Sequence, residues 1–280
     1  MILVADSGST KTDWRLIDGS GSIEQGQTQG LNPLFNDHKT ITEVLQKELP
    51  PAWLSLDITN IEFYGAGCAG DQAKLVAQAA LKAVFPMAEI NVASDLLAAA
   101  RSVCGHKAGI VGILGTGSNC CFYDGAQIIK HVPPLGYVLG DEGSASDIGK
   151  AFVKLYLRNE LPENIVNKVH HKLGSREEII HRVYQEAKPN EYLASYAQIV
   201  GEFQKEPLMA QIVVSSFDAF LNLIDKLDQP PGSTINFVGS VAHHLSDLLQ
   251  KVVKKHGYRL GRVVQSPIAG LTLLHSKSVL

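Results

Sequence analysis

The chain is expected to be an α/β protein of two lobes, each a mixed five-stranded sheet flanked by helices, with a cleft between them. Two features of the 280-residue sequence carry this expectation. An apolar strand, a small-residue loop, a second strand, an Asp-Gly turn and a third strand occur in order over residues 2–28, and the same order returns from residue 108 onward. Strand-like and helix-like patterns then alternate after each copy, as an α/β layer architecture requires. Two copies make a duplication rather than a solenoid, and the length suffices for two cores.

The elements follow from local pattern. Residues 2–5, 12–18 and 22–28 read as strands, with Asp18-Gly19 and Gly21 turning the chain between the last two. In "DWRLI" the alternation puts Trp14 and Leu16 on one face. A helix is expected from Asp37, its N-cap, to Leu49, where Pro50-Pro51 stops it. "IEFYG" (61–65) is a strand, 71–85 a helix, "EINVAS" (89–94) a strand and 95–103 a helix. The second copy begins with "AGIVGIL" (108–114), followed by the strands "NCCFYD" and "QIIKHV" around the turn Asp124-Gly125. It is three residues shorter, counted from loop glycine to turn glycine (8 to 19 against 117 to 125). Residues 144–227 read as mostly helical, 234–239 as a strand, 240–256 as one helix, "GYRLGRVVQ" as a strand and the final segment as a helix. The expected lobes are therefore 1–106, joined by the last helix (267–280), and 107–266, which carries a helical insert over 145–227.

Composition narrows the function. A net charge of −3 without a basic block argues against nucleic acid or an anionic membrane as partner. The N-terminus lacks a basic start and a long apolar run, so a soluble, cytoplasmic protein is expected. Cys68, Cys104, Cys120 and Cys121 form no C-x-x-C pair, and neighbours 120 and 121 point to opposite faces of a strand, so they read as reduced thiols. No histidine spacing suits a metal held by protein alone.

Several short stretches could carry chemistry. "DSGSTKT" (6–12) places Asp6 at the mouth of an apolar strand, where a charge is costly without an external partner. It is not a P-loop, because Thr10 stands where glycine must precede Lys11. "GAGCAG" (65–70) matches a dinucleotide fingerprint, but a hairpin precedes it, and a tight glycine turn is the plainer reading. Asp95 stands at a strand-to-helix junction, either as N-cap or as a general base. In "GDEGSASDIG" two carboxylates lie between glycines, as a solvated turn or as acceptors for the hydroxyls of a sugar. Small-residue loops after two first strands can present backbone N–H groups to phosphate.

These stretches resemble the sugar-kinase, heat-shock-protein and actin superfamily of ATPases. The sequence is most similar to the N-acetylglucosamine kinase-like branch, which also holds the BadF/BadG/BcrA/BcrD ATPases. "GTGSNC" (115–120) and "GDEGSA" (140–145) are the sharpest matches. "DSGSTKT", "GAGCAGDQ", "SDLLAA" (94–99) and "FVGSVA" (237–242) stand in the expected order, so the likeness spans nearly the whole chain. The resemblance implies two ribonuclease H-like lobes and ATP-dependent phosphorylation of an amino sugar, with N-acetylglucosamine or a related N-acetylhexosamine as substrate. It implies that Asp6 holds Mg²⁺ through water and that Gly8, Thr10 and Lys11 cradle the phosphates. Thr116 and Gly117 would grip phosphate in the second loop, and Gly239 and Ser240 would line the adenosine pocket. Asn32, Cys68, Ala69, Asn119, Gly136, Asp141 and Glu142 would face the sugar, and Asp95 would take the proton of the attacking hydroxyl. It admits a homodimer. The chain departs from the family at Ser7 and Ser9, at Leu135 where an aromatic is common, and at Cys68-Ala69 in place of Ser-Gly. The alternatives are an ATPase activator, an ATP-binding sugar sensor without turnover, and a dinucleotide-binding protein. The cysteine motif of the activators is absent.

Overall fold

The computed structural model describes residues 1–8 and 10–276. The first copy forms β1 (Ile2–Ser7), β2 (Lys11–Ile17), β3 (Ile23–Gln29), α1 (His38–Glu48), β4 (Asn60–Gly65), α2 (Asp71–Val84), β5 (Glu89–Ser94) and α3 (Asp95–Cys104). The second copy forms β6 (Gly109–Leu114), β7 (Ser118–Tyr123) and β8 (Ile128–Val132). Helices α4 (Gly136–Leu139), α5 (Ala145–Leu157), α6 (Glu163–Val169), α7 (Arg176–Tyr184), α8 (Pro189–Glu202) and α9 (Pro207–Asp225) follow. The chain closes with β9 (Thr234–Val238), α10 (Ser240–His244), α11 (Ser246–Lys255), β10 (Arg259–Val264) and α12 (Ile268–Ser276).

Two five-stranded mixed sheets result, with orders β3-β2-β1-β4-β5 and β10-β9-β6-β7-β8. The topologies are the same: a central strand pairs antiparallel with the next strand of its meander on one side and parallel with the fourth strand of its copy on the other. The duplication visible in sequence is thus a duplication of fold. The chain divides into two compact units. One holds Met1–Ala108, the turn Asp124–Gln127 and the described residues from Ser266 onward; the other holds Gly109–Tyr123 and Ile128–Gln265.

In the first unit, side-chain alternation sorts two cores. Leu3, Ala5, Trp14, Leu16, Ile61 and Phe63 pack with α1 and α2, whereas Val4, Ile17 and Tyr64 point the other way, against Ala98 of α3 and Ile268 and Leu271 of α12. Trp14 and Leu16 share a face as the alternation predicts. The α1 cap is Asp37, whose side chain accepts from Thr40 N at 2.8 Å, and Pro51 opens a short 3₁₀ turn rather than more helix. Gly26 lies inside a strand because an added Cβ would stand 2.8 Å from the Trp53 ring.

In a large core of the second unit, Phe217, Phe220 and Leu221 of α9 meet Ile110, Leu114 and Phe237 of the sheet. Helix α9 has the length and hydropathy of a membrane span, yet Met209, Ile212, Val213, Ser216, Phe217, Phe220, Leu221 and Ile224 are buried within the unit. The helix expected over 240–256 is two helices. The backbone leaves helical angles at Leu245 (φ −111°, ψ 25°), although the apolar period runs through Val241, Leu245, Leu248 and Val252 and so hides the break. The expected final helix is observed as α12; residues 277–280 lie outside the described residues.

The α5–α8 contact depends on Gly149, where an added Cβ would stand 1.9 Å from the Leu193 carbonyl oxygen. Backbone cannot yield as a side chain can. Gly149→Ala is therefore expected to lower the unfolding free energy by about 1–3 kcal/mol, outweighing alanine's better helix propensity of ~1 kcal/mol. Gly19→Ala, which meets nothing within 4 Å, should leave it unchanged. Urea denaturation followed by circular dichroism measures both.

Candidate active site

Strand β1 is buried on both faces until Asp6. There the β1–β2 register sets Asp6 opposite Asp13, and Asp95 lies near enough to repel it. Burial first, and then these two carboxylates, raise the pKa of Asp6 to about 7, against partial relief from Lys11 and a hydrogen bond with Ser266. Burial pushes Asp13 up too. Hydrogen bonds from Lys11 and Gln27 outweigh it, so that carboxyl sits below its ordinary range. The Lys11 ammonium pairs with Asp13 at 2.9 Å, so it serves the loop's own carboxylate.

The turn after β1 is held by backbone and by two buried hydroxyls. Gly8 N donates to Lys11 O (2.9 Å), and Gly30 N to Thr10 O (3.0 Å); Gly8 and Thr10 are exposed. Ser7 Oγ lies 2.8 Å from Thr12 Oγ1 and accepts from Leu31 N at 3.0 Å, while Thr12 Oγ1 donates to Gln29 O. Ser7 belongs to an ordinary strand without positive φ, so serine is unstrained there; Ser9 lies outside the described residues. This Ser7–Thr12 pair was not singled out from sequence. Its only signal was a serine in a loop where relatives carry glycine.

The next loop, between β4 and α2, is shaped by contacts within the protein. Gly67 has φ +83°, and an added Cβ would stand 2.3 Å from Asn32 Oδ1; at Gly65 it would meet Phe63 and Cys68. These glycines make room for side chains of the same chain rather than for a pyrophosphate, which removes the reason for a dinucleotide reading. Asn32 is buried, and its Oδ1 accepts from Leu34 N. Cys68 turns its thiol inward; burial, with Asp95 adding, raises its pKa to about 12. Ala69 is exposed.

Asp95 is not the cap of α3. Ser94 is, accepting from Leu97 N at 3.3 Å. Asp95 occupies the first helical position, with Oδ1 accepting from Leu96 N at 2.8 Å. Burial raises its pKa above the ordinary carboxylate range, against those backbone hydrogen bonds. The serine fits because its short hydroxyl reaches the third helical N–H from an extended backbone.

In the second unit the loop after β6 is knitted to α5. Gly115 N donates to Gly117 O, Ala145 N to Gly115 O and Ser146 N to Thr116 O. Ser144 caps α5 by accepting from Asp147 N, and Asp147 accepts from Ser216 Oγ at 2.6 Å. Asp141 has φ +59°, an uncommon conformation for a residue with a side chain. It holds the carboxylate against this loop: Oδ1 accepts from Ser118 N at 3.3 Å, and a Cβ on Gly117 would stand 3.0 Å from Oδ2. Burial raises the pKa of Asp141, and Glu142 adds to this. Asn119, Asp141 and Glu142 line one cavity of about 120 Å³. Gly136 has φ +72°, opens α4 and faces open space. Gly239 has φ +122° and lies against the Leu114 carbonyl, 2.2 Å from where a Cβ would stand; Ser240 beside it is exposed. Among the described residues no three His, Cys, Asp or Glu side chains are placed to hold a metal by themselves.

No family model matches the chain. Among solved structures, a candidate N-acetylglucosamine kinase from Porphyromonas gingivalis superposes with a TM-score of 0.94 at 38% identity, covering 100% of both chains. The chain belongs to the N-acetylglucosamine kinase-like family of sugar kinases. A curated relative, the N-acetylmuramic acid/N-acetylglucosamine kinase of Clostridium acetobutylicum, is 27% identical over 172 residues. That match covers 58% of this chain and 56% of the relative, so the chain spans little more than half the length of the curated relative it matches. A ROK family glucokinase from Streptomyces griseus, solved with glucose and AMPPNP, shares the fold at TM-score 0.56 and 15% identity, over 98% and 97% of the two chains.

The Asp6 environment has a measurable consequence. With a native pKa of about 7 above a reference value of 3.8, the folded state binds the proton more tightly than the unfolded one. Its stabilisation is present at pH 4 and is lost as pH rises toward 7. Asp6→Asn removes that loss. The melting temperature of the variant is expected to match the wild type at pH 4 and to exceed it increasingly up to pH 8. A gap that stays constant with pH would contradict the assignment.

Proposed function

We propose that this chain is a cytoplasmic kinase that transfers the γ-phosphoryl group of ATP to a hydroxyl of an amino sugar, N-acetylglucosamine or a related N-acetylhexosamine. Whole-length family membership supports the reaction class. The observation that carries the mechanism is Asp95: a half-buried carboxylate just past the end of β5, relieved of capping by Ser94. One oxygen is oriented by the Leu96 N–H, and the carboxylate would accept the hydroxyl proton. A base with a raised pKa sits nearer the operating pH and takes a proton more effectively.

The donor set of the first unit fits a magnesium–nucleotide. Asp6, Asp13 and Asp95 repel one another, and a cation would relieve the carboxylate that burial pushes highest. Asp6 would hold Mg²⁺ through water, and Gly8 and Thr10 would meet the phosphates with backbone and hydroxyl. In the second unit we assign Thr116 and Gly117 to phosphate and Gly239 with Ser240 to adenosine. Gly239 brings the backbone close, as a side chain there could not. A bound magnesium–nucleotide supplies the charge neutralisation that phosphoryl transfer needs. Asn119, Asp141 and Glu142 offer an amide and two carboxylates to sugar hydroxyls, with Gly136 in the same unit, and we assign Asn32 and Ala69 of the first unit to the sugar as well. Cys68 would contribute only through its backbone, since its thiol is buried. The finer placement in the BadF/BadG/BcrA/BcrD group rests on the "GTGSNC" and "GDEGSA" motifs.

ADP release across a panel of amino sugars tests the reading. Saturable turnover with N-acetylglucosamine or another N-acetylhexosamine is expected, and none with any sugar would refute it. Asp95→Asn should lower kcat by on the order of 10²–10⁴-fold with sugar and ATP affinity changed far less. Ser94→Ala should cost about 1 kcal/mol of stability. Near-normal turnover in Asp95→Asn would remove Asp95 from the chemistry.

A further inference from the structure

In the buried stripe of α9 every residue but one is apolar, and the exception is Ser216. A hydroxyl in such an interior is costly without partners, and Ser216 has two. Its Oγ accepts from Gly143 N at 3.1 Å and donates to Asp147 Oδ2 at 2.6 Å. That carboxylate oxygen also lies 3.4 Å from Gly143 N. A hydroxyl from α9 and a carboxylate from α5 thus converge on one backbone amide. The amide belongs to the turn that carries Asp141 and Glu142. Asp141 and Gly143 both have positive φ, +59° and +79°. The first is uncommon for a residue with a side chain, and it persists only where the surroundings determine it. Gly143 lies directly on α9, where an added Cβ would stand 2.8 Å from Phe220 Cβ. Phe220 is one turn on from Ser216, and with Leu223 and Lys226 it forms the α9 wall of the cavity that Asn119, Asp141 and Glu142 line. The start of the same segment is held from α5: Lys150, one turn after Asp147, donates to Tyr137 O at 2.9 Å.

We propose that Ser216 and Asp147 are positioning residues for sugar binding: by holding the Gly143 amide they fix the turn from which Asp141 and Glu142 meet the sugar. The inference rests on the kinase reading and on Asp141 and Glu142 facing the sugar. Ser216 is buried under the turn and acts only through it. The Asp147 carboxylate is spent within the protein, on Ser216 through Oδ2 and on the Lys150 ammonium, 3.7 Å from Oδ1. Removal of the hydroxyl leaves the Gly143 N–H without its nearer acceptor and Asp147 without its donor. The turn then loses the contact that sets its two left-handed residues, and the carboxylates no longer stand where the sugar hydroxyls need them. Removal of the Asp147 carboxylate frees the Ser216 hydroxyl to rotate and has the same result.

Steady-state ADP release by the whole protein tests this, with ATP and the N-acetylhexosamine it turns over varied separately. Ser216→Ala and Asp147→Ala should each raise the sugar KM by roughly 10–100-fold, the weight of hydrogen bonds to a charged group. Because uniform binding is what is lost, kcat and the KM of ATP should change far less. Asp147→Asn keeps an oxygen that accepts from Ser216 and should hold the sugar KM near the wild-type value. Phe217→Leu trims the core beside Ser216 on the same helix. It should lower the melting temperature and leave the sugar KM unchanged, which separates lost stability from lost position. Should Ser216→Ala fail to fold, Asp147→Ala carries the test, since that side chain is partly exposed. A sugar KM that stays at the wild-type value in the folded variants would overturn the proposal while leaving the kinase reading intact, and so would a rise no larger than that of Phe217→Leu. Wild-type turnover with no sugar at all would overturn both.

Discussion

A carboxylate at the end of a fully buried strand is the constraint around which the first unit is organised. Strand β1 is apolar on both faces because the unit packs helices on both sides of its sheet, and that same burial makes Asp6 expensive to ionise. Pairing with a basic side chain would remove the cost. Instead, the nearest ammonium is taken by Asp13, and Asp95 adds a further negative charge. The arrangement stores repulsion between carboxylates, and this is what the proposed magnesium–nucleotide would relieve. Ser7 and Thr12 hold the turn beside it with buried hydroxyls, so the carboxylate is presented on a stiff support.

The second unit repeats the topology with different local means. Where the first loop relies on hydroxyls, the second relies on glycines and on an aspartate with positive φ. Gly239, at φ +122° against the Leu114 carbonyl, makes an approach that no other residue allows, and Gly117 lies close against Asp141. The backbone of this loop is tied into the start of α5 by two hydrogen bonds, so loop and helix move as one piece. Asp141 is strained so that its carboxylate can face the loop, and strain of this kind concentrates at functional sites.

Helix α9 serves the core and the cavity at once. Its buried stripe fills the second unit, while its last two turns reach the cavity wall. Apolarity sufficient to cross a membrane is in this helix the mark of a core element with little surface to spare.

The duplicated order of strands, the loop positions and most helix limits were legible in the sequence, because they depend on local period and on turn residues acting within a few positions. Asp37 as a cap and Trp14 with Leu16 on one face are of this kind. The family resemblance, too, rested on short contiguous motifs. What the sequence left open or missed was the job of a given side chain: Asp95 read as a cap or a base, whereas Ser94 is the cap, and Lys11 was expected at phosphate, whereas it pairs with Asp13. Both depend on side-chain direction, which adjacency does not set. The break at Leu245 was hidden because an apolar period is continuous through it. The α9 wall of the cavity was out of reach for another reason. Phe220 and Asn119 are about a hundred residues apart, and only the packing of a helix across a sheet brings them to one space.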